Sequence, residues 1–219
     1  MTEGTSAISG DLAASLVLEL RDRRIYRIGR GTPAVWLIDD RALGGVLVNA
    51  PAFSAQVLEV IRALTRPAYL FLPSRRGARD LGAWREAGFE TIAFEAEAPA
   101  IRAAAGAVDF AVDRKQRLSR TIDFLPMAGV TEGSCALRLK NLPSVIFFGP
   151  VLEPGLDGWP TLIAHPDDHS WESRLFGALG LKDLKFDYAF CDVFDAIRTR
   201  FGPNADREIG RRLEALFDD

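Results

Sequence analysis

Histidine and cysteine are scarce in this chain, with two of each in 219 residues. That supply is too small for a multi-histidine metal cluster, a four-cysteine zinc site or a disulfide scaffold. Charge of one sign is also lacking. The formal net charge is −3, and acidic and basic residues alternate along most of the chain, which argues against broad nucleic-acid binding. Met1–Leu20 contains no Lys or Arg, so it lacks the basic start of an export signal. The longest uncharged stretch, Ala42–Leu58, is broken by Gly44, Gly45, Asn49, Pro51 and Gln56 and makes a poor membrane span. A cytoplasmic protein with reduced Cys135 and Cys191 is the expectation. There is no low-complexity segment, long linker or short-period repeat.

What is present is the composition of an ordinary globular protein, 48% apolar and 26% charged. Strands are expected at Leu16–Leu20, Arg24–Ile28, Val35–Ile38, Val46–Val48, Tyr69–Leu72 and Thr91–Phe94. Ser54 is placed to cap a helix whose apolar positions are Val57, Val60, Ile61 and Leu64. A second helix over Asp80–Ala87 would bury Leu81 and Trp84 and end at Gly88. In the second half, Phe110–Val112, Ile122–Leu125 and Phe186–Phe190 read as strands. Cys135–Leu139 and Val145–Phe148 read as a hairpin. Helices are expected at Trp171–Leu179, capped by Asp168 or Ser170, at Val193–Phe201, and at the C-terminus, about 204–217. Two halves, each opening with hairpin-joined strands and closing with strand–helix units, predict two sheets packed face to face with helices outside.

From about Ile25 to Phe194, the element order and several local strings resemble the metallo-β-lactamase fold. The resemblance implies an α/β protein: one domain, 1–219, built as a four-layer αβ/βα sandwich of two mixed β-sheets with outer helices. The family carries an Asp at the end of its second strand, where this chain has Asn49. Its metal loop, His-x-His-x-Asp-His, falls on Leu72-Pro73-Ser74-Arg75-Arg76-Gly77-Ala78, so Pro73, Arg75, Gly77 and Ala78 occupy the ligand positions. Asp80 is the only potential ligand nearby. The family's Gly-His-Thr-x-Gly-Ser reads Gly129-Val130-Thr131-Glu132-Gly133-Ser134, with Val130 in place of histidine. Pro150 stands at the bridging Asp, and Val193, beside Asp192, at the last histidine. Family members bind Zn²⁺ or Fe and use the metal to acidify a water. Pro, Gly, Ala and Val side chains have no lone pair to offer, so scaffold is kept and chemistry is missing. No cofactor is expected.

Two clusters compete with this reading. Arg75, Arg76 and Arg79 could hold a small anion, or they could lie in a solvated loop and pair with Asp80, Glu86 or Glu90. His165-Pro166-Asp167-Asp168-His169, alone or with Asp192, could form a relocated metal site, or it could simply start a helix. Cys135 reads as a core filler. Cys191 has no adjacent base for nucleophilic work. Trp36, Trp84, Trp159 and Trp171 read as packing residues. The terminal helix could serve a partner or a homo-oligomer, although docking on its own domain is simpler. The expectation is a non-catalytic binding, regulatory or structural protein, and the alternative is a hydrolase with an atypical metal site.

Overall fold

A computed structural model describes residues 13–113 and 119–216. The beginning of Met1–Leu20, read above for an export signal, and Phe217 of the expected terminal helix lie outside the described residues.

The first sheet contains β1 (Ala14–Glu19), β2 (Arg23–Ile28), β3 (Val35–Asp40), β4 (Gly44–Val48), β5 (Pro67–Leu72), β6 (Glu90–Phe94) and β7 (Phe110–Val112), in that spatial order. Its first four strands pair antiparallel, and the pairs from β4 to β7 are parallel. The parallel connections pass through α1 (Ala55–Leu64), α2 (Leu81–Glu86) and α3 (Ala98–Ala104). The second sheet contains β8 (Ile122–Pro126), β9 (Cys135–Leu139), β10 (Val145–Gly149) and β13 (Tyr188–Cys191), in the order β13-β10-β9-β8. β9 and β10 form the expected antiparallel hairpin, while β13 joins β10 in parallel. A small ribbon, β11 (Glu153–Pro154) with β12 (Pro160–Thr161), precedes α4 (Trp171–Leu179), and α5 (Ala205–Ala215) closes the described chain.

Strand alternation divides the apolar residues among three buried layers. In β3, Trp36 and Ile38 face the second sheet, whereas Val35 and Leu37 face the helices. In β10, Val145 and Phe147 point into the inter-sheet core, whereas Ile146 and Phe148 point outward toward α4 and α5. Val57 and Ile61 of α1, and Leu81 and Trp84 of α2, cover the outer face of the first sheet. Ala178 of α4 and Ala205, Ile209 and Leu213 of α5 cover the second. The result is the four-layer helix–sheet–sheet–helix sandwich.

Ser54 caps α1 by accepting a hydrogen bond from the Val57 amide at 3.1 Å. Ser170, one of the two expected residues, caps α4 through the Ser173 amide. Two assignments need correction. Val193–Phe201 is not a helix: Asp195 accepts bonds from the Ile197 and Arg198 amides, which closes an isolated turn. The chain then runs extended, with Arg200 N bonded to Gly158 O and Phe201 O accepting from Ala189 N. The helix Ala98–Ala104 was not anticipated. It is a short run of small residues with no apolar period and Pro near its start.

Trp36 anchors the junction of the two sheets. It is 1% exposed, its ring lies 4.6 Å from Phe190 and 4.7 Å from Phe194, and its Nε1–H donates to Cys191 O. Trp36→Ala is expected to cost about 3–5 kcal/mol of unfolding free energy, measurable by urea denaturation. A loss under about 1 kcal/mol would show that the junction repacks around the cavity.

Candidate functional site

The ends of the two sheets meet at Asn49 and Asp192. Asn49 follows β4 in the left-handed region, φ 66°, a conformation that Asn tolerates better than most side chains. Its Nδ2 donates to Ala34 O at 2.8 Å and to Asp192 Oδ1 at 2.6 Å. The backbone reinforces the link, with Ala34 N donating to Asp192 O at 2.6 Å. Asn49 is fully buried and its Oδ1 has no hydrogen-bond partner. Burial pushes the Asp192 carboxyl up to about 7, against the Asn49 hydrogen bond and the charges of Arg27 and Arg76, which favour its ionised form.

The loop after β5 is held by packing and ion pairing. Pro73 lies under Gly149, where a Cβ would come within 2.3 Å of the Pro73 Cβ. Ser74 is buried and accepts from the Arg76 amide. Gly77 packs on Asn49, and a Cβ there would sit 1.8 Å from Asn49 Oδ1. Arg75 and Arg76 do not pair with Asp80, Glu86 or Glu90. Arg75 binds the fully buried Glu97 through its backbone amide at 2.7 Å and through its guanidinium. Arg76 meets Asp167 at 2.7 Å. Asp80 instead accepts from the Phe53 amide. Arg79 is exposed and has no ion pair or hydrogen bond to a described residue. Ala78 closes the loop by donating its amide to Arg75 O.

The Gly129–Ser134 turn is held by its glycines and by the Ser134 hydroxyl, which donates to Met127 O at 2.9 Å. Gly129 has φ 133° and lies against the backbone of Arg174 and Ser170, where no side chain fits. Gly133 N donates to Glu97 Oε1, so one buried carboxylate ties this turn to the Arg75 loop. Val130 is 3% exposed, and its carbonyl accepts from the His169 amide.

The five residues His165–His169 do not act together. His165 Nε2 contacts Glu153 at 2.7 Å. Asp167 pairs with Arg76. Asp168 is claimed by buried Arg174 at 2.6 Å and by the His165 amide. Burial works against ionisation of Asp168, but those two bonds prevail and hold it below the usual carboxylate range. Thr32, Pro33, Arg76, Pro150, Glu153, His165, Asp167, Asp192 and Val193 line one cavity of about 190 Å³. Asp168 and His169 do not line it.

No protein-family model and no curated protein matches the chain. Solved structures align with nearly all of it. The metallo-β-lactamase SMB-1, in complex with mercaptoacetic acid, has a TM-score of 0.68 at 16% identity, covering 96% of each chain. BJP-1, a subclass B3 metallo-β-lactamase of Bradyrhizobium japonicum, has 0.65 at 17%, covering 95% of this chain and 94% of that one. A B3 enzyme with an active-site glutamic acid has 0.65 at 19%, covering 95% and 91%. The chain has the metallo-β-lactamase fold. At these identities the likeness is one of architecture.

The residues present do not fit that fold's metal centre. Among the described residues, no group of three or more His, Cys, Asp or Glu is arranged to hold a metal ion. In the small cavity, Glu153 is engaged by His165 and Asp167 by a guanidinium, and Asp192 shares one oxygen with Asn49. The cation Arg76 among them opposes a second cation. Cys135 and Cys191 are buried, and burial raises both thiols, which leaves neither as a ready nucleophile. Glu97 and Glu153 organise this region and carried no sequence signal. Their partners are remote in sequence, Arg75 lying 22 residues from Glu97 and His165 12 residues from Glu153.

An acid whose pKa is raised by folding holds its proton more tightly in the folded state. The stability that Asp192 contributes is therefore full below about 3.8 and lost as pH rises through about 7. The loss is on the order of 4 kcal/mol. Asp192→Asn keeps an acceptor for Asn49. Its melting temperature is expected to fall less than wild type between about pH 4 and 7, and to exceed it at the upper end. Parallel melting profiles would remove Asp192 as the source. Gly77→Ala is expected to destabilise by about 1–3 kcal/mol, because its methyl group must displace Asn49. An unchanged denaturation midpoint would contradict that packing.

Proposed function

We propose that this chain is a pseudoenzyme on the metallo-β-lactamase scaffold, with a binding, regulatory or structural role and without the fold's metal chemistry. One observation carries the reading: Pro73, Gly77, Ala78, Val130, Pro150 and Val193 offer no metal-binding side-chain atom, and Arg75 brings a cation, at the positions matched to the family's ligands. The packing supports it. Gly77 and Asn49 interlock, Pro73 sits beneath Gly149, and Arg75 is fastened to Glu97. A functional metal loop must instead present its side chains toward an open coordination position.

The proposal treats 1–219 as one domain, with the last helix docked through Ile209 and Leu213 rather than reserved for a partner. Nucleic acid is not among the expected ligands. Among the described residues no helix is long and apolar enough to cross a membrane. A cytoplasmic location belongs to the same proposal and agrees with two separate, unpaired cysteines.

The second reading, an atypical hydrolase, is favoured by one observation: His165, Glu153, Asp167 and Asp192 share a cavity. Elemental analysis of protein purified without chelator separates the two, together with assays on ester, lactam, thioester and phosphodiester probes. The pseudoenzyme is expected to carry no stoichiometric transition metal and to turn over none of the probes. Chelator-sensitive turnover, with a bound metal that is lost in His165→Ala, would establish the hydrolase instead.

A further inference from the structure

A second, larger cavity of about 450 Å³ opens on the other side of the β2–β3 turn. This volume lies within the roughly 300–1,000 Å³ range of small-molecule sites. Three arginines line it, Arg27, Arg30 and Arg79, and no Asp or Glu does. Arg27 and Arg30 come from the end of β2 and the turn after it, and Arg79 from the distant loop after β5. Ile28, Val35, Pro51, Ala52 and Val57 supply an apolar wall.

The three cations differ in a way that suits ligand binding. Arg27 is 7% exposed. Its guanidinium donates to the carbonyls of Ile28, Val35 and Gly31 and lies 5.6 Å from the Trp36 ring. No carboxylate is hydrogen-bonded to it, although Asp192 acts on it electrostatically. Burial lowers its pKa to about 10, so it stays charged at neutral pH. Arg27 thus brings to the cavity a buried positive charge that is hydrogen-bonded to neutral carbonyls alone. Arg30 and Arg79 are exposed and make no ion pair or hydrogen bond with a described residue. Arg75 and Arg76 already have carboxylate partners and are not available for this purpose.

We propose that this cavity binds a small organic anion, with a carboxylate or phosphate head held by Arg27, Arg30 and Arg79 and an apolar body resting on Ile28, Val35 and Val57. Guanidinium forks match both oxyanion heads, and converging cations reinforce one another in a partly desolvated pocket. The proposal is independent of whether the scaffold retains catalysis, because neither the cavity nor its arginines include the residues of the smaller cavity other than Thr32 and Pro33.

The test is titration of the full chain with phenyl phosphate, benzoate and the neutral benzyl alcohol, followed by amide NMR. Phenyl phosphate or benzoate is expected to shift the amides of Gly29, Arg30, Gly31 and Ala52, while benzyl alcohol at the same concentration leaves them in place. The relative strength of the two anions identifies the preferred head group. Arg30→Ala/Arg79→Ala, two exposed positions whose loss should spare the fold, is expected to weaken binding tenfold or more. Its melting temperature checks that it folds. The proposal is overturned if neither anion produces shifts at about 10 mM, if benzyl alcohol binds as well as the anions, or if the folded double variant binds undiminished.

Discussion

The side-chain amide of Asn49 holds the two sheets in register at the end where the fold places its functional loops. One Nδ2 group bridges the carbonyl before β3 and the carboxyl after β13, and the backbone beside it repeats the link from Ala34 to Asp192. Much else follows from this contact. The left-handed turn at Asn49 brings Ala50 N to Gly77 O, which sets the loop after β5 against the sheet end. Only glycine at 77 leaves room for the amide. The cost is a buried carboxyl that resists ionisation and an amide oxygen without a partner.

Around this link the loops are held by packing and ion pairing. Glu97 is central to that arrangement. Fully buried, it receives the Arg75 guanidinium, the Arg75 amide and the Gly133 amide, and so ties together the loop after β5 and the Gly129–Ser134 turn. A buried carboxylate with this many donors is satisfied in place. Arg174 does the same work nearby, binding Asp168 and the carbonyls of Ile163 and Val151. The arginines of the loop after β5 thereby divide. Arg75 and Arg76 are paired with carboxylates, while Arg79 lines a separate cavity with Arg27 and Arg30 and with no Asp or Glu.

The fold was legible where local signals agree. Strands β3, β4, β9 and β10 alternate residues between two buried layers, and the β9–β10 hairpin is marked by Lys140–Ser144 between two apolar runs. Ser54 and Ser170 announce their helices because capping is a contact within one turn. Val193–Phe201 misled because its apolar spacing suits a helix, while the Asp195 carboxylate stops it after one turn. Ala98–Ala104 was hidden by its small, unpatterned residues.

The sequence alone determined which side chains stand at residues 73, 75, 77, 78, 130, 150 and 193, and none of them is His, Cys, Asp or Glu. It also determined the layered architecture, because periodicity 2 and 3.6 are properties of the backbone. Only the tertiary structure decided which charges meet. Arg75 with Glu97, Arg76 with Asp167, His165 with Glu153 and Asn49 with Asp192 are pairings across 12 to 143 residues. Coulombic and hydrogen-bond energies depend on distance in space and on local burial, and neither is encoded by spacing along the chain.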